Sequence, residues 1–529
     1  MQRLLHRDAF LARLRQTESW DVIVIGGGAT GLGVALDAAA RGFQTVLFEQ
    51  HDFGKGTSSR STKLIHGGVR YLRAGDLGLV REALRERGRL RRNAPHLVWP
   101  RLFVVPCYRW WEQPFYGAGL WLYDRLAGQA RLGTTRRLDI AETRALLPTL
   151  RTDRLRGGLT YLDGQFDDAR LLVHLAWTAA EHGATVLNYM PVEALFGTAK
   201  RLEGVVVRDL ESDECLEVHG RVIINATGVF ADAVRRLDNP AAPPLIVPSQ
   251  GIHLVLPRHF LPGEAALLVP QTDDGRVLFV IPWHGQVLLG TTDVPVADPT
   301  LEPLPTEDEI TYLLMHAARY LEPAPTRADI RAVFAGLRPL VQQGGLQDDT
   351  AHLSREHVIV VSRRGLVTIT GGKWTTYRLM AEETVDRAIA VAGLPYRPSS
   401  TATLPLHGSA SHVDVSDPWH LYGSDAHYLR RLIRDEPDLA IPLHPRLPYR
   451  MVEVVWAVRY EMARTLEDVL ARRTRALFLD AAAALEAAPA VAKRMATELG
   501  QSRTWVENQL RAFVALVRRY VPTFQEETN

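Results

Sequence analysis

Residues 21–50, DVIVIGGGATGLGVALDAAARGFQTVLFEQ, decide the fold class of this chain. Residues 21–25 form a short apolar run that predicts a buried strand, and residues 45–48 predict a second one. Between them, residues 32–41 predict an alanine-rich helix that ends at Gly42. Strand, glycine-rich turn, helix and strand make a complete βαβ unit, so the sequence predicts an α/β fold with parallel strands.

The turn of this unit carries a dinucleotide-binding pattern. Gly26, Gly28 and Gly31 give GxGxxG, and Glu49 follows Gly28 by 21 residues. The glycines allow the backbone to approach a pyrophosphate at the helix N-terminus, where the helix dipole and free N–H groups favour anions. Glu49 is predicted to accept hydrogen bonds from the adenosine ribose hydroxyls.

Composition excludes several classes of function. The chain has 529 residues, 46% of them hydrophobic, which is enough for two or more domains. A net charge of +2 does not indicate a nucleic-acid-binding protein. Cys107 and Cys215 lie far apart without zinc-ligand spacing, so we predict no metal site, no cysteine catalysis and a reducing compartment.

The remaining patterns predict the domain organisation. Residues 1–19 contain a basic helix, and residues 20–395 are predicted to form a discontinuous nucleotide-binding domain. A β-sheet substrate domain is predicted to be inserted into it, around 75–220 and 245–345, because β-rich runs such as RVLFVIPW occur there. Apolar residues at spacings of three and four predict a helical C-terminal domain over 396–529.

Two segments bear on membranes. No segment reaches the ~18 apolar residues that a transmembrane helix needs, and the N-terminus lacks the apolar region of a signal peptide. Residues 110–126, WWEQPFYGAGLWLYDRL, are rich in aromatic side chains. We expect a core helix there, with an interfacial helix as the alternative.

Residues 63–72, KLIHGGVRYL, predict an anion site. Lys63, His66, Arg70 and Tyr71 surround a glycine pair in this stretch. Lysine is rare in the chain, with only five among 62 basic residues, so a retained lysine indicates a need for an ammonium group. Since only one GxGxxG unit occurs, the pattern favours a flavin enzyme that takes electrons directly from its substrate.

Several motifs together resemble a known family. They are GGGATGLGVALDAAARG, GTSSRSTKLIHGGVRYL, FDDARL, NATG, GTTD, AGLRPL, TGGKWTTYR and EVVWAVRYEMARTLEDVLARR. In this order they resemble the FAD-dependent, quinone-linked glycerol-3-phosphate dehydrogenase family, from about residue 20 to about residue 520. The resemblance implies a mixed α/β fold, with a Rossmann-type FAD-binding domain of the glutathione-reductase/D-amino-acid-oxidase type, an inserted β-sheet substrate domain and a C-terminal helical domain.

The resemblance also implies the reaction, which is oxidation of sn-glycerol 3-phosphate to dihydroxyacetone phosphate. Dehydrogenase members of the family pass the electrons to membrane quinone, whereas close relatives are oxidases that use oxygen. A cytoplasmic enzyme attached peripherally to the membrane is therefore expected. The sequence leaves a homodimer open.

The substrate residues follow from matching motifs. Arg70, Arg338 and Lys373 match the phosphate-binding cations, with Arg338 also counted among the catalytic groups. We expect His66 to be the general base, because histidine works near neutral pH, and His253 is the alternative base and a substrate contact. Tyr71 is expected to hydrogen-bond the substrate or to fix the cations, with a core aromatic as the alternative.

The predicted FAD contacts come from four of these motifs and from Glu49. They are Gly26, Gly28, Gly31, Glu49, Thr57, Ser58, Ser59, Lys63, Leu64, His66, Ala226, Gly228, Gly372, Lys373 and Thr375. Lys63 and Leu64 are expected to lie along the isoalloxazine ring. Gly372 and Thr375 are expected at its pyrimidine end, where positive charge or a helix N-terminus stabilises an anionic reduced flavin.

Overall fold

The computed structural model describes residues 5–68, 76–273, 275–342, 357–410 and 412–521. Its strands are β1 Trp20–Ile25, β2 Thr45–Phe48, β3 Leu64–Ile65, β4 Val98–Cys107, β5 Arg136–Leu138, β6 Gly157–Phe166, β7 Thr185–Leu187, β8 Val192–Gly197, β9 Leu202–Arg208, β10 Cys215–Asn225, β11 Ile246–Pro257, β12 Ala266–Val269, β13 Leu278–Trp283, β14 Gln286–Gly290, β15 Val294–Pro295, β16 Ala332–Val341, β17 His357–Val361 and β18 Val367–Gly371. Its α-helices are α1 Arg7–Gln16, α2 Ala29–Ala40, α3 Leu77–Asn93, α4 Glu112–Ala127, α5 Ile140–Leu146, α6 Asp168–Glu181, α7 Ala231–Asp238, α8 Glu307–Ala318, α9 Tyr377–Ala392, α10 Ala426–Asp435, α11 Met451–Tyr460, α12 Ala476–Leu479, α13 Ala481–Leu499 and α14 Arg503–Val517.

The first sheet has parallel strands at its centre, as the βαβ unit predicts. Its order is β17-β18-β10-β1-β2-β7, and β8 and β9 extend it from β10. Ile25 at the end of β1 lies opposite Phe48 on β2 and Asn225 on β10. Three strands therefore end together beside the glycine turn, the edge where open α/β sheets bind ligands.

The glycine turn is tighter than an alanine would allow. Gly26 has φ of +107°, and α2 begins at Ala29, three residues earlier than predicted. A Cβ atom on Gly31 would lie 1.9 Å from the carbonyl oxygen of Gly26. Glycine at position 31 is therefore required for the helix to pack so closely on the turn.

The second sheet is larger and mostly antiparallel. Its order is β15-β11-β14-β13-β12-β4-β6-β3, with β16 paired to β11 and β5 to β6. One face contributes Ile252 and Val287 to a core that also contains Leu313 of α8. The other face packs on the C-terminal helices, where the rings of Phe334 and Phe478 are 4.8 Å apart.

The first inserted segment is shorter than the predicted range 75–220. Helix α6 and strands β7 to β10 follow β6, and β7 pairs with β2 through Val46 and Thr185. Strand β10 pairs with β1, so this region completes the nucleotide-binding sheet. The β-rich composition of 185–225 gives no sign of which sheet it joins, because strand partners are set by tertiary packing.

Helix α1 packs on the first sheet's domain through an ion pair. Arg7 lies on its buried face and its guanidinium is 2.7 Å from the Asp209 carboxylate. The positive charge of Arg7 is therefore buried and is neutralised by the Asp209 carboxylate.

Helix α4 is not the core helix that we expected. Leu120 and Tyr123 are buried, but the side chains of Phe115 and Trp121 are each 58% exposed, and Trp110 just before the helix is 77% exposed. Among the described helices, none is both long and apolar enough to cross a bilayer.

Candidate active site

Two adjoining cavities lie beside the carboxyl ends of the first sheet. The larger has a volume of about 790 Å³ and reaches the second sheet, and the smaller, of about 460 Å³, lies against the glycine turn. Thr57, Gly372, Lys373 and Trp374 line both of them. A ligand that enters both cavities must therefore pass these residues.

The smaller cavity fits the nucleotide part of FAD. It is lined by Gly26, Gly28, Glu49, Ala226 and Gly228, as predicted for the cofactor. A Cβ atom on Gly28 would meet only the Ser58 hydroxyl, at 3.1 Å, so the cradle is open at the N-terminus of α2. Backbone N–H groups at such a terminus suit a pyrophosphate.

Glu49 ends β2 and receives backbone hydrogen bonds. Its carboxylate accepts from the N–H of Gly27 at 2.6 Å and of His51 at 2.9 Å. Burial raises the pKa of Glu49 above its usual value, against these two bonds. Both bonds orient the carboxylate at the edge of the cavity, where its prediction as the ribose partner stays a prediction.

The loop after β2 is fixed between the two cavities. The Thr57 hydroxyl donates to the Leu337 carbonyl at 2.6 Å, and the Ser58 hydroxyl accepts from the N–H of Ala29 at 3.0 Å. The indole N–H of Trp374 donates to the Ser58 carbonyl at 2.8 Å. The GTSS and TGGKW motifs thereby contact each other and the start of α2.

Lys63 does not face the cofactor as we expected. Its ammonium is fully buried and lies 2.6 Å from the Asp168 carboxylate and 2.9 Å from the Ser59 carbonyl. Its backbone has φ of +63°, and Lys63 lines neither of the two cavities, whereas Leu64 lines the larger one. Burial lowers the pKa of Lys63 to about 7, against the attraction of Asp168.

His66 lines the larger cavity and is fixed through its backbone. The Thr375 hydroxyl bonds both the N–H and the carbonyl of His66, each at 3.2 Å. The imidazole is half-buried and its ring lies 6.3 Å from that of Phe279. The KLIHGG and TGGKWTTYR motifs, 309 residues apart, meet through this hydroxyl.

His253 lies deeper in the same cavity. It is 2% exposed, stacks on Phe334 with ring centres 5.0 Å apart, and its Nε2 is 2.9 Å from the Thr62 hydroxyl. Burial, with Lys63 and Arg338 nearby, lowers its pKa well below the usual value. His253 is therefore a neutral imidazole at physiological pH, the form that can accept a proton.

Arg338 extends from β16 into the larger cavity and is firmly oriented. Its guanidinium donates to the Thr292 carbonyl at 3.0 Å and to the Thr291 hydroxyl at 3.2 Å. The Asp293 carboxylate lies 3.2 Å away and also accepts from the Ser249 hydroxyl. The cation is thus pre-oriented at the cavity wall.

Lys373 follows β18 where the chain turns at Gly372, whose φ is +73°. Lys373 lines both cavities, so this residue lies where they adjoin. Arg70 and Tyr71, the other predicted substrate residues, lie outside the described residues.

Among the charged residues of this region that sequence reasoning missed, three contact residues that it predicted. Asp168 pairs with Lys63, Asp293 pairs with Arg338, and Arg475 donates to the Ser59 carbonyl at 2.6 Å. Asp168 lies in FDDARL and Asp293 lies in GTTD, two of the motifs that carry the family resemblance. Their positions in these motifs could have marked both aspartates as candidate site residues. Arg475 carries no comparable signal, because it follows the last of those motifs.

Comparison with known proteins supports, over most of the chain, the family that the sequence motifs resemble. Residues 21–378 match the FAD dependent oxidoreductase family, and residues 367–506 match the C-terminal domain of alpha-glycerophosphate oxidase. The mitochondrial glycerol-3-phosphate dehydrogenase of Mus musculus is 39% identical over 95% of this chain and 74% of its own length. That of Saccharomyces cerevisiae is 36% identical over 97% of this chain and 91% of its own length.

A solved structure supports this assignment. The X-ray structure of glycerol-3-phosphate dehydrogenase from Bacillus halodurans, complexed with FAD, superposes with a TM-score of 0.80 at 28% identity. The match covers 98% of this chain and 99% of the other. The glycine cradle and these matches agree, and this chain therefore belongs to the FAD-dependent oxidoreductases, in the glycerol-3-phosphate dehydrogenase family.

Proposed function

We propose that this enzyme oxidises sn-glycerol 3-phosphate to dihydroxyacetone phosphate and passes the electrons to a membrane quinone. One observation carries the proposal. His66, His253, Arg338 and Lys373 line one cavity, which adjoins the nucleotide cavity through Lys373 itself. A small phosphorylated alcohol needs this set, with cations for the phosphate and an imidazole for the hydroxyl proton.

The reaction removes two electrons and two protons from the substrate. The C–H bond at the secondary carbon breaks with its electron pair, and the hydroxyl loses its proton, so a ketone forms. FAD held by the glycine cradle would supply the hydride acceptor, and a quinone reduced to a quinol would take the two electrons onward. No other reactant is required.

The chain's own residues perform the remaining tasks. Arg338, oriented by Asp293 and by the Thr292 carbonyl, binds the phosphate with parallel N–H groups. Lys373 adds a compact charge where the two cavities meet. His66 takes the hydroxyl proton, and His253 remains the alternative base.

The decisive test is anaerobic mixing of the purified flavoprotein with glycerol 3-phosphate. We expect the yellow flavin absorbance to bleach within the turnover time, with dihydroxyacetone phosphate as the product. Glycerol without phosphate is the matched control and should bleach the flavin far more slowly, because it lacks the group that the cations bind. An unchanged spectrum with glycerol 3-phosphate would refute the proposed activity.

Helix α4 supports the membrane part of the proposal. Exposed Phe115 and Trp121 project from it, and the Arg125 guanidinium lies 5.1 Å from the Trp121 ring. Aromatic and basic side chains together suit the interface of an anionic bilayer. Phe115 also lines the larger cavity, so a quinone in the bilayer would meet the cavity at this helix.

Membrane fractionation with and without high salt tests this contact. Trp121→Ser combined with Trp110→Ser, at a tryptophan just before the helix that is 77% exposed, should move the enzyme into the supernatant without slowing flavin reduction. Tyr396→Ser removes a 71% exposed aromatic outside helix α4 and should leave the distribution unchanged. If the double variant stays in the membrane fraction, helix α4 is not the contact. A homodimer stays a prediction that sedimentation would test.

Oxygen is the alternative electron acceptor. The match to the C-terminal domain of alpha-glycerophosphate oxidase is the observation that favours this alternative. Turnover with oxygen alone is compared with turnover with a quinone analogue. A dehydrogenase releases little peroxide without quinone. Peroxide release at a rate near that of quinone reduction would make the enzyme an oxidase.

A further inference from the structure

We propose that the C-terminal domain positions the loop that binds FAD, through residues 467–475, here called the arginine segment. The loop in question is residues 50–59, here called the cofactor loop. Gln50, Gly54, Lys55, Thr57 and Ser58 of this loop line the smaller cavity. The arginine segment would thus be part of the cofactor site although it does not line the cavity.

The first contact is made by two neighbouring arginines on one carboxylate. Arg473 forms a two-pronged pair with Asp52 of the cofactor loop, with N–O distances of 2.7 and 2.8 Å. Arg472 Nε donates to the same carboxylate at 2.5 Å. All three side chains are at most 4% exposed, and the arginines hold the pKa of Asp52 well below its usual value despite its burial.

The second contact joins the two segments at their more accessible side. The Lys55 ammonium lies 2.5 Å from the Glu467 carboxylate, which also accepts from Arg472 at 2.7 Å. The exposed fractions of these side chains are 12% for Lys55 and 23% for Glu467. Glu467 therefore links a cofactor-loop cation to the arginine that binds Asp52.

The third contact is to the backbone at the end of the loop. The Arg475 guanidinium donates to the Ser59 carbonyl at 2.6 Å, and the Lys63 ammonium donates to the same oxygen at 2.9 Å. Arg475 is 1% exposed and lies over the ring of Phe478, 4.2 Å from its centre. Ser59 is thereby fixed directly beside Ser58, whose hydroxyl accepts from the start of α2.

These contacts come from an unusual stretch of backbone. Asp468–Arg473 forms a π-helix. This conformation is rare in proteins overall, but where it occurs it is often found at a functional site. Thr474 N–H bonds to the Val469 carbonyl at 2.8 Å, which closes the wide turn. Arg475 follows the π-helix after one intervening residue, Thr474, so three arginines contact the cofactor loop from a segment of nine residues.

The three arginine contacts to the cofactor loop are not needed merely to attach the C-terminal domain to the rest of the chain. Arg170 on α6 and Glu461 already form a buried two-pronged pair between the two parts of the chain, with distances of 2.8 and 2.9 Å. Within the part of the chain that the structure describes, neither side chain bonds the cofactor loop, although the Glu461 carbonyl accepts from Arg473 at 2.7 Å. Buried pairs are costly to assemble, so three further arginines on one loop indicate a role in fixing that loop.

The experiment measures the dissociation constant of FAD by titrating the apo-protein with FAD and following flavin fluorescence. Arg475→Met keeps the packing on Phe478 but removes the hydrogen bond to Ser59. Glu467→Gln removes the carboxylate charge that pairs with Lys55 and Arg472. We expect the FAD dissociation constant to rise about tenfold or more in each. Arg475→Lys should recover part of the loss, because an ammonium can still donate to the carbonyl.

Two arginines serve as matched controls. Arg170→Met breaks the attachment pair, and Arg459→Met breaks a two-pronged pair with Glu498 inside the C-terminal domain. Both should lower the melting temperature of the apo-protein while FAD affinity stays within about twofold of wild type. Arg475→Met should retain wild-type helix content by circular dichroism.

Two results would overturn the inference. One is unchanged FAD affinity in Glu467→Gln, which is the variant least able to disturb folding. The other is a loss of affinity in Arg170→Met as large as that in Arg475→Met, since attachment alone would then explain it. The test uses FAD binding only, so a failed reaction with glycerol 3-phosphate would leave the inference intact.

Discussion

The two histidines of the larger cavity differ in how much water reaches them. His66 is half-buried at the cavity wall, whereas His253 is 2% exposed and stacked on Phe334. A general base must reach the substrate hydroxyl and must be neutral before it acts. His66 has the better access to the cavity, and burial favours the neutral form of His253.

Replacing each histidine separately tests which one is the base. We expect His66→Ala to lower the anaerobic rate of flavin reduction by about 10² to 10⁴, with a smaller effect on substrate affinity. His253→Ala should mainly destabilise the protein, because it leaves a cavity beneath Phe334. Stopped-flow absorbance gives both rates. If His253→Ala abolishes reduction while His66→Ala does not, the base is His253.

Arg338 should contribute to binding more than to the chemical step. Arg338→Lys keeps the charge but loses the two-pronged geometry, and we expect KM for glycerol 3-phosphate to rise about tenfold. Arg338→Met should raise it further, and Lys373→Met should also raise it. Steady-state kinetics at saturating quinone measure these values. A fall in kcat with an unchanged KM would contradict a phosphate-binding role.

At the scale of elements, helix α2 depends on one glycine. Gly31 faces the Gly26 carbonyl so closely that a methyl group cannot fit without moving the turn. We expect Gly31→Ala to cost about 3 kcal/mol or more and to yield protein without FAD. Gly78→Ala, on helix α3, is the control, because the nearest atom would be 3.8 Å away. The visible flavin absorbance per mole of protein reports the occupancy of the FAD site.

Helix α6 is joined to the segment before α10 by a charged histidine. His407 bonds Glu181 at 2.6 Å and Asp425 at 2.7 Å, and its ring stacks on Trp177 at 4.3 Å. Despite burial, these carboxylates raise the pKa of His407 to about 9, from 6.5 for the ordinary group. Protonated His407 therefore ties two parts of the chain together.

The ion pairs of His407 with Glu181 and Asp425 predict that the protein loses stability at alkaline pH. Because the folded-state pKa is the higher one, the contribution is complete below about pH 6.5 and is lost as pH rises to about 9. The shift corresponds to about 3 kcal/mol. Urea unfolding of wild type and His407→Gln at several pH values measures the difference, which should shrink toward pH 9. A difference independent of pH would contradict a charged histidine.

For the whole molecule, the C-terminal helices complete the core of the second sheet. Phe478 on α12 packs against Phe334 on β16, and Val454 of α11 belongs to the same buried cluster. We expect a chain ending at residue 395 to aggregate and to bind no FAD, because an apolar sheet face would be exposed. A chain ending at residue 521, the last described residue, is the control. Soluble, FAD-bound protein from the shorter chain would contradict this view.

The sequence alone determined the βαβ unit, the glycine turn and the positions Gly26, Gly28 and Glu49 at the nucleotide cavity. These are local patterns, and each depends on residues within one turn, helix or strand. The motif resemblance added the family and named His66, His253, Arg338 and Lys373, which line one cavity. Their roles in the reaction stay predictions.

Only the tertiary structure decided which charges face inward and which surfaces remain exposed. Lys63 pairs with Asp168, 105 residues away, and Asp52 pairs with arginines more than 400 residues away. Burial of a charge depends on such distant partners, and helical spacing cannot show which face of α4 is covered. The sequence therefore specified the cofactor unit, and packing specified how the rest of the chain supports it.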